Sequence, residues 1–289
     1  MKTFFSSLLV FLAANYIRQR GWYWEKTERF RRGQRINVIK GKTFRFENFG
    51  LITRRLYEQE PFVRFNKAFE QRTLSAIIRI LKPEFTVLDI GANIGLHSLI
   101  MASCLDSDGK GMVYSFEPCR KTFEALMGNV KLNNFSDRIV PHNVALSDKA
   151  GRLILDTPDE YRSLGHRSDP YKSLRKGQNG LETGEEVEVV TLDLWVKEKK
   201  ISRIDFIKID IEGAELECFK GSVDVLKNYR PIVVMECYEQ YCRRFGYCVT
   251  DVVHFMAGLD YKMYQYEESQ WIAFPNEIEH LGILTDLLS

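Results

Sequence analysis

The amino-acid sequence predicts an α/β fold organised around an open, mostly parallel sheet. Between residues 85 and 235, short apolar runs alternate with segments of helical periodicity, the pattern of right-handed strand–helix–strand units. The run Val87–Ile90 leads into a glycine loop, Gly91–Gly95, and then directly into an apolar helix pattern. Near the C-terminus, residues 261–267 and 271–274 alternate about a short turn, as the strands of an antiparallel hairpin do.

Periodicity and stop signals define the elements in chain order. Thr43–Glu47 alternates between apolar and polar residues and predicts a short strand. Apolar residues at helical spacing predict a helix over 62–81, which Pro83 ends. The sheet strands are predicted at 85–90, 111–116, 138–144, 204–211 and 231–235. Helices are predicted at 94–104, 120–133 and 214–226, and near 238–245 and 250–257. A further short helix is predicted to begin at 191–193, where Thr191 or Asp193 could cap it.

A polar stretch interrupts this alternation. Residues 151–155 and 187–190 predict strands on either side of residues 158–184, which are rich in Ser, Gly, Arg, Asp and Lys. A loop of this length inside a compact domain is usually functional or disordered. The sequence therefore leaves two interpretations of 158–184 open, a lid over the substrate and a surface insertion.

Charge is distributed unevenly along the 289 residues. Residues 1–82 carry 18 Lys and Arg against 6 Asp and Glu, a net +12, whereas residues 83–289 carry 23 against 33, a net −10. A basic arm ahead of an acidic domain indicates contact with an anionic surface, either membrane or nucleic acid. The alternative is a solvated leader that pairs with the acidic domain.

Residues 1–20 form an apolar leader. The apolar run over 4–14 is shorter than the roughly 20 residues that span a membrane. A membrane-associating segment over 4–24 and a helix packed on the domain both fit this pattern, whereas a cleaved secretion signal fits less well. We expect a cytoplasmic or membrane-associated protein in which residues 21–64 are a basic, aromatic extension.

Six cysteines occur, and no two of them have the C-x-x-C spacing. Without that spacing a zinc site is not predicted. We expect the cysteines to be small buried hydrophobic residues of a protein in a reducing compartment. Carboxylates at Asp210, Glu212 and Glu236 could gather a divalent cation, since hard cations take oxygen ligands. We favour a site without a metal and keep the divalent cation as the alternative.

The glycine loop narrows the class of ligand. A dinucleotide fingerprint needs glycines where this chain has Asn93 and Leu96, and a P-loop needs a longer loop that ends in Lys and Ser or Thr. Because neither phosphate motif fits, an acid beside the loop, Asp89, favours a ligand that carries a positive charge. Glu117, which ends the next strand, suits a ribose diol. The ligand that fits these features is S-adenosylmethionine.

Five motifs in order extend this interpretation. They are DIGANIG (89–95), FEP (116–118), NVALSD (143–148), TLD (191–193) and FIKIDIEGAE (206–215). The set resembles the motif series of FkbM-type S-adenosylmethionine-dependent methyltransferases over roughly residues 65–275. The resemblance implies a Rossmann-like class I methyltransferase fold, with a mostly parallel seven-stranded sheet closed by an antiparallel hairpin. Residues 276–289 would be a C-terminal tail.

The resemblance also implies which residues hold the methionine part of the cofactor. Gly91, Asn93 and Gly95 would wrap it, and Asp89 would hold its amino group through water or backbone. An ordinary strand-to-helix turn is the alternative role of the loop. A cap of the following helix is the alternative role of Asp89.

The nucleoside part of the cofactor would contact the ends of the next two strands. Glu117 would bind the ribose hydroxyls, with a helix cap as the alternative. Asn143 and Ala145 would lie near the adenine, and a plain turn is an equally good interpretation of these two residues.

The resemblance implies O-methylation of a hydroxyl group, and the strand over 204–211 carries the candidate catalytic residues. Asp210 is the candidate base for the acceptor hydroxyl, and we expect the carboxylates of Glu212 and Glu236 to raise its pKa. The positive charge of Lys208 would instead be expected to lower the pKa of Asp210. A lysine inside a central strand is costly unless it is paired. An ion pair with Asp210, Asp193 or Glu236 and a catalytic role in orienting the acceptor or its carboxylate partner are therefore both open.

We therefore expect an S-adenosylmethionine-dependent O-methyltransferase acting on a small molecule, a sugar or a lipid-linked glycan. Methylation of nucleic acid or protein is the first alternative. The basic arm permits nucleic acid, but the strand over 204–211 ends in Asp210–Gly213 rather than an N-P-P-aromatic motif. A catalytically inactive, membrane-tethered binding module is the other alternative. The sequence indicates neither the acceptor nor the oligomeric state.

Overall fold

A computed structural model describes residues 34–39, 42–47, 71–105, 110–156, 173–175 and 184–278. Its strands are β1 (Gln34–Ile39), β2 (Lys42–Glu47), β3 (Thr86–Ile90), β4 (Met112–Phe116), β5 (Ile139–His142), β6 (Ala145–Leu146), β7 (Gly151–Asp156), β8 (Ser173–Arg175), β9 (Glu185–Val190), β10 (Phe206–Ile209), β11 (Ile232–Glu236), β12 (Tyr261–Gln265) and β13 (Gln270–Pro275). Its helices are α1 (Gln71–Ile80), α2 (Leu96–Cys104), α3 (Arg120–Leu132), α4 (Leu192–Lys199), α5 (Glu215–Lys220), α6 (Val223–Tyr229), α7 (Glu239–Arg244) and α8 (Val249–Ala257).

The central sheet has seven strands in the order β12-β13-β11-β10-β3-β4-β5. Strands β11, β10, β3, β4 and β5 pair in parallel, and β13 runs antiparallel to both β11 and β12. The predicted fold class is confirmed: an α/β, Rossmann-like methyltransferase architecture with a terminal antiparallel hairpin. Since β10 lies between β3 and β11, the carboxyl ends of these three strands meet at one edge of the sheet, where ligands bind in such folds.

Helices cover both faces of this sheet. One core cluster packs α1, α2 and α3 against alternate strand residues such as Val87 and Phe206. The other packs α4 to α8 against the intervening residues, such as Leu88 and Ile207. Burial on both faces explains why the strands are nearly continuous apolar runs. Polar residues inside them therefore stand out as candidates for function.

A second sheet was not expected from the sequence. Strands β6, β9, β7 and β8 form it in that order. The predicted strand over 138–144 extends two residues too far, since β5 ends at His142. The next strand, β6, pairs with β9 in the second sheet instead. The chain leaves the central sheet at Asn143, whose side-chain amide donates to the carbonyls of Glu117 and Pro118 at 2.9 Å each.

Two further predictions needed correction. The strand predicted at 204–211 is shorter, β10, and the helix predicted at 214–226 is two helices, α5 and α6. The break occurs at Gly221, where a Cβ atom would lie 2.0 Å from the carbonyl oxygen of Ser147. Asp193 then accepts hydrogen bonds from the backbone of Asp224 and Val225 at the start of α6. The break therefore depends on contacts distant in sequence.

Several predictions concern residues outside the described ranges. These include the leader at 1–20, all of the 21–64 extension except β1 and β2, and most of the 158–184 loop and of the 276–289 tail. Within the described residues, the predicted strand at Thr43–Glu47 is confirmed as β2. Searching the same residues finds no helix that is both long and apolar enough to cross a membrane.

Candidate active site

The glycine loop after β3 contacts the end of β10 directly. Gly91 has a φ of 81°, and a Cβ atom there would lie 1.8 Å from the carbonyl oxygen of Asp210. The backbone N–H of Asp210 in turn donates to the carbonyl of Ile90 at 3.0 Å. Only glycine permits both this conformation and this approach. The predicted cofactor loop and the predicted catalytic strand end are therefore adjacent.

Asp89 is fully buried at the end of β3. Its Oδ2 accepts a 2.5 Å hydrogen bond from the Ser98 hydroxyl of α2, which also contacts the Ser115 hydroxyl at 2.8 Å. Its Oδ1 has no hydrogen-bond partner among the described residues. Helix α2 has no side-chain cap, so the alternative role of Asp89 as a cap is wrong. A buried acceptor without a partner is costly, so this oxygen stands out among the polar atoms of the site.

Glu117 is buried just after β4 and lies against the glycine loop. Its two oxygens accept from the backbone N–H groups of Asn93 and Cys119, at 2.9 Å each. Burial raises the pKa of Glu117 to about 7, against the opposing effect of these two hydrogen bonds. Each carboxylate oxygen keeps a further lone pair, so the group can still accept from a ligand hydroxyl.

The remaining predicted cofactor residues shape the loop. Asn93 has a φ of 50°, and its side-chain oxygen accepts from the backbone of Ile94 at 2.8 Å. Gly95 has a φ of 93°, and a Cβ atom there would lie 2.6 Å from a Leu126 methyl group. The side chain of Ala145 packs in a small core behind the second sheet. Contact between Ala145 and adenine, which stays a prediction, would therefore involve its backbone.

Lys208 and Asp210 form an ion pair at the end of β10, with Nζ and Oδ2 3.2 Å apart. Lys208 is 4% exposed and lies opposite Asp89 of β3 in the sheet register. The side chain of Asp210 is 23% exposed, which leaves it open to an acceptor. Of the two roles left open for Lys208, the ion pair with Asp210 is present in the structure.

Glu212 holds the most perturbed carboxyl group of this edge. Its backbone is in the left-handed region, with a φ of 57°, and its Oε2 has no hydrogen-bond partner among the described residues. Burial, and then the charges of Asp210, Glu236 and Glu215, raise the pKa of Glu212 to about 9. The charge of Asp210 is therefore one of the causes that raise the pKa of Glu212. Near neutral pH, Glu212 keeps its proton.

Ser269 and Gln270 of the terminal hairpin also reach this edge. They were not identified as site residues from the sequence. Glu236, at the end of β11, accepts from the Ser269 hydroxyl at 3.0 Å and from the Gln270 amide at 3.1 Å. Gln270 in turn accepts from Thr73 of α1 at 3.2 Å. The antiparallel register of β13 places Gln270 beside Glu236. A predicted hairpin could have indicated this pairing only if its register had been known.

A family model described as the methyltransferase FkbM domain matches residues 89–263. The match begins at Asp89, contains Glu117 and the end of β10, and covers more than half of the chain. This chain belongs to the FkbM methyltransferase family.

Curated proteins similar to this FkbM-family chain come from distant organisms. The hexuronic acid methyltransferase AglP of Haloferax volcanii is 25% identical over 169 residues, which are 57% of this chain and 61% of that protein. The 31-O-demethyl-FK506 methyltransferase FkbM of Streptomyces tacrolimicus is 33% identical over 165 residues, 50% and 62% respectively. For the 2-O-methyltransferase NoeI of Sinorhizobium fredii, identity is 28% over 164 residues, 52% and 62%. The matched part thus spans about three-fifths of these relatives.

Among solved structures, a methyltransferase FkbM from Methylobacillus flagellatus is 19% identical, with a TM-score of 0.45, and the match covers 67% of this chain and 44% of that chain. An O-methyltransferase from Bacillus cereus is 14% identical, with a TM-score of 0.44, over 77% and 88%.

The raised carboxyl pKa values predict an unusual pH dependence of stability for this FkbM-family chain. Glu117 and Glu212 have folded-state pKa values of about 7 and about 9, above the usual 4.5. Above pH 4.5 the unfolded chain loses these protons while the folded chain keeps them. Stability must therefore fall as pH rises from about 4.5 towards 9. We expect the melting temperature to be lower at pH 8.5 than at pH 6.5.

Two variants test this assignment. Glu212→Gln removes the group that still titrates above pH 7.5 and should flatten the decline in that range. Glu277→Gln serves as the matched control, because an Arg230 hydrogen bond lowers the pKa of Glu277 to about 2, far from this range. Parallel melting curves for wild type and Glu212→Gln from pH 7.5 to 8.5 would contradict the assignment.

Proposed function

We propose that this protein is an S-adenosylmethionine-dependent O-methyltransferase that acts on a hydroxyl group of a small molecule, sugar or lipid-linked glycan. The observation that carries the proposal is the direct contact between Gly91 of the cofactor loop and the backbone of Asp210. Through this contact the partly exposed carboxylate of Asp210 lies at the edge where the loop would hold the methyl donor. Membership of the FkbM family supports methyl transfer as the chemistry.

The residues present fit the proposed cofactor. The unpartnered Oδ1 of buried Asp89 suits the ammonium group of the methionine part. Glu117 has acceptor capacity left for ribose hydroxyls, and the loop has no lysine that a phosphate would require. When bound, S-adenosylmethionine supplies a methyl group activated by the adjacent sulfonium charge. Asn143 and Ala145 are proposed near the adenine because they follow β5 at the same edge.

Asp210 is the proposed general base. It would accept the proton of the acceptor hydroxyl as the oxygen bonds to the methyl carbon and the carbon–sulfur bond breaks, leaving a neutral thioether. Lys208 would orient the Asp210 carboxylate through the 3.2 Å ion pair. Glu212, with its raised pKa, would donate a hydrogen bond to the acceptor rather than take its proton. Positioning of acceptor and methyl can supply up to about 7–11 kcal/mol of the barrier.

Side chains after β11 suit a carbohydrate acceptor. Tyr238 and Tyr241 pack edge to face with ring centroids 5.1 Å apart, and the Arg244 guanidinium lies 4.3 Å from the Tyr241 ring. The charge of Arg244 also acts on Glu212. Aromatic faces beside carboxyl groups can contact both the apolar face and the hydroxyls of a sugar. The hexuronic acid named for AglP is consistent with this class.

Partners beyond the acceptor follow from the charge of the N-terminal arm. Contact of this arm with an anionic membrane surface remains part of the proposal, together with a location in the cytoplasm or at a membrane. The sequence at the end of β10 continues to disfavour nucleic acid.

The direct test is calorimetric titration of the full chain with S-adenosylmethionine and its demethylated product. We expect one site per chain and a rise in melting temperature with each ligand. Isotope-labelled cofactor with extracts and a panel of free sugars and uronic acids should then give a methylated product by mass spectrometry. Absence of binding to both nucleosides would refute the proposal.

The role of Glu117 makes a separate prediction. We expect Glu117→Gln to weaken cofactor binding about 10–100-fold, because hydrogen bonds to a charged group contribute roughly 1.5–3 kcal/mol. Affinity of the wild type should increase from pH 6 to pH 8, since the carboxyl with a pKa of about 7 must ionise to accept both hydroxyls. In Glu117→Gln this increase should disappear. Calorimetry at three pH values measures both effects, and an unchanged pH dependence in the variant would contradict the assignment.

A further inference from the structure

A second group of ligand-bearing side chains lies behind the acceptor side of the site. Glu215, Cys237 and Cys242 place a carboxylate oxygen and two sulfurs within 4.8 Å of one another. It is the one group of three or more such residues found in the described part of the chain, and Asp210, Glu212 and Glu236 do not form another there. All three members are at most 1% exposed. The proposed methyl transfer uses none of them.

The spacing of the two sulfurs is informative. Their Sγ atoms lie 3.5 Å apart. A disulfide would require about 2.05 Å. Two thiolates bound to one tetrahedral zinc ion, with Zn–S bonds of about 2.3 Å, lie roughly 3.8 Å apart. The observed separation is that of a hydrogen bond between two thiols, and it is much closer to the spacing of two ligands on one ion than to a disulfide.

The carboxylate of Glu215 presents one oxygen to this pair. Its Oε1 accepts from the backbone of Ile211 at 3.2 Å and of Gly213 at 3.1 Å. Its Oε2 contacts the Tyr247 hydroxyl at 3.5 Å, which is too long for a strong hydrogen bond. That hydroxyl already donates to the carbonyl of Gly213 at 2.5 Å. Oε2 therefore retains acceptor capacity beside the two sulfurs.

We propose that Glu215, Cys237 and Cys242 form a structural site for a thiophilic d¹⁰ metal ion such as Zn²⁺. Two soft thiolates with one carboxylate are a ligand set that zinc accepts, and a water molecule would complete the tetrahedron. Binding releases the protons of the two thiols to solvent. The ion also offsets the cost of burying these anionic ligands.

The place of this site in the fold indicates its role. Cys237 directly follows Glu236 at the end of β11, Cys242 lies in α7, and Glu215 opens α5 and holds the 211–213 turn. A metal ion would therefore join the three segments that carry the proposed acceptor residues. The C-x-x-C criterion missed it because the chain turns between β11 and α7, which brings together cysteines five residues apart.

The test uses the full chain, purified under reducing conditions, stripped of metal with a chelator and titrated without S-adenosylmethionine. We expect one equivalent of Co²⁺ to bind with a thiolate-to-cobalt charge-transfer absorption, and Zn²⁺ to displace it. Zn²⁺ at about a hundredfold excess over its Kd should raise the melting temperature by about 5–10 °C.

Matched variants locate the site. Cys237→Ala and Cys242→Ala should lose the absorption, whereas Cys218→Ala, which removes a buried cysteine outside the group, should keep it. Should the first two variants fail to fold, the cobalt spectrum of the wild type still decides the question. Substoichiometric cobalt without the absorption, or a Cys237–Cys242 disulfide found by non-reducing mass spectrometry, would overturn the proposal. Neither result bears on cofactor binding, which the calorimetry tests separately.

Discussion

Replacing Asp210 by Asn is expected to lower kcat by about 10²–10⁴-fold, the usual contribution of a positioned general base. The amide cannot take the proton of the acceptor hydroxyl. It does preserve the size of the side chain, and the contact with the glycine loop involves only the backbone of Asp210. Cofactor affinity should therefore change by less than about threefold, because no proposed cofactor contact is removed. Initial rates of methylated product at saturating cofactor, together with calorimetric Kd values, measure the two effects.

Asp205→Asn is the matched control for this substitution. Asp205 precedes the same strand, β10, at its opposite end, where it accepts from the backbone of Thr86 at 2.8 Å and pairs with Arg203. The same change of charge there should leave kcat within about twofold of wild type. Asp210 would lose its assigned role if Asp210→Asn weakened cofactor binding as much as turnover, or if both variants behaved alike.

The sequence predicted the strands and helices of the central sheet in their order along the chain, because local signals determine them. Apolar runs such as Val87–Ile90 are buried on both faces, and Pro83 ends the preceding helix whatever the tertiary context. The helix break at Gly221 was missed because it results from the approach of Ser147, a residue far away in sequence. The second sheet was missed for a related reason. Two of its strands were predicted, over 151–155 and 187–190, but no local signal indicated that they pair with each other and with the two-residue strand β6.

The residue types of the candidate site could be predicted from the sequence. The protonation states of its carboxyl groups could not. Motif order placed Asp89, Glu117 and Asp210 at neighbouring strand ends, and the structure brings these ends together. Which carboxyl keeps its proton depends on burial and on distances to other charges, and neither can be obtained from spacing. Burial first of all, and then the charges of neighbouring carboxylates, raise the pKa of Glu212 to about 9.

Gly91→Ala is expected to destabilise the fold more than any conservative surface change. A Cβ atom would lie 1.8 Å from the carbonyl oxygen of Asp210 and 3.0 Å from an Ile211 methyl group. The clash is between two backbones that the central sheet holds in place, so a side-chain rotation cannot relieve it. A φ of 81° adds a left-handed penalty of about 1–2 kcal/mol. Overpacking contributes a further 1–3 kcal/mol or more.

Gly246→Ala separates these two contributions. Gly246 has the same φ of 81°, but a Cβ atom there meets nothing within 4 Å. This control should therefore cost only the conformational penalty. The difference in the free energy of unfolding between the two variants, measured by urea denaturation, reports the clash between the cofactor loop and the end of β10. Similar values for the two variants would mean that the loop and the strand end can separate without cost. Such separation would remove the contact on which the proposed placement of Asp210 beside the methyl donor depends.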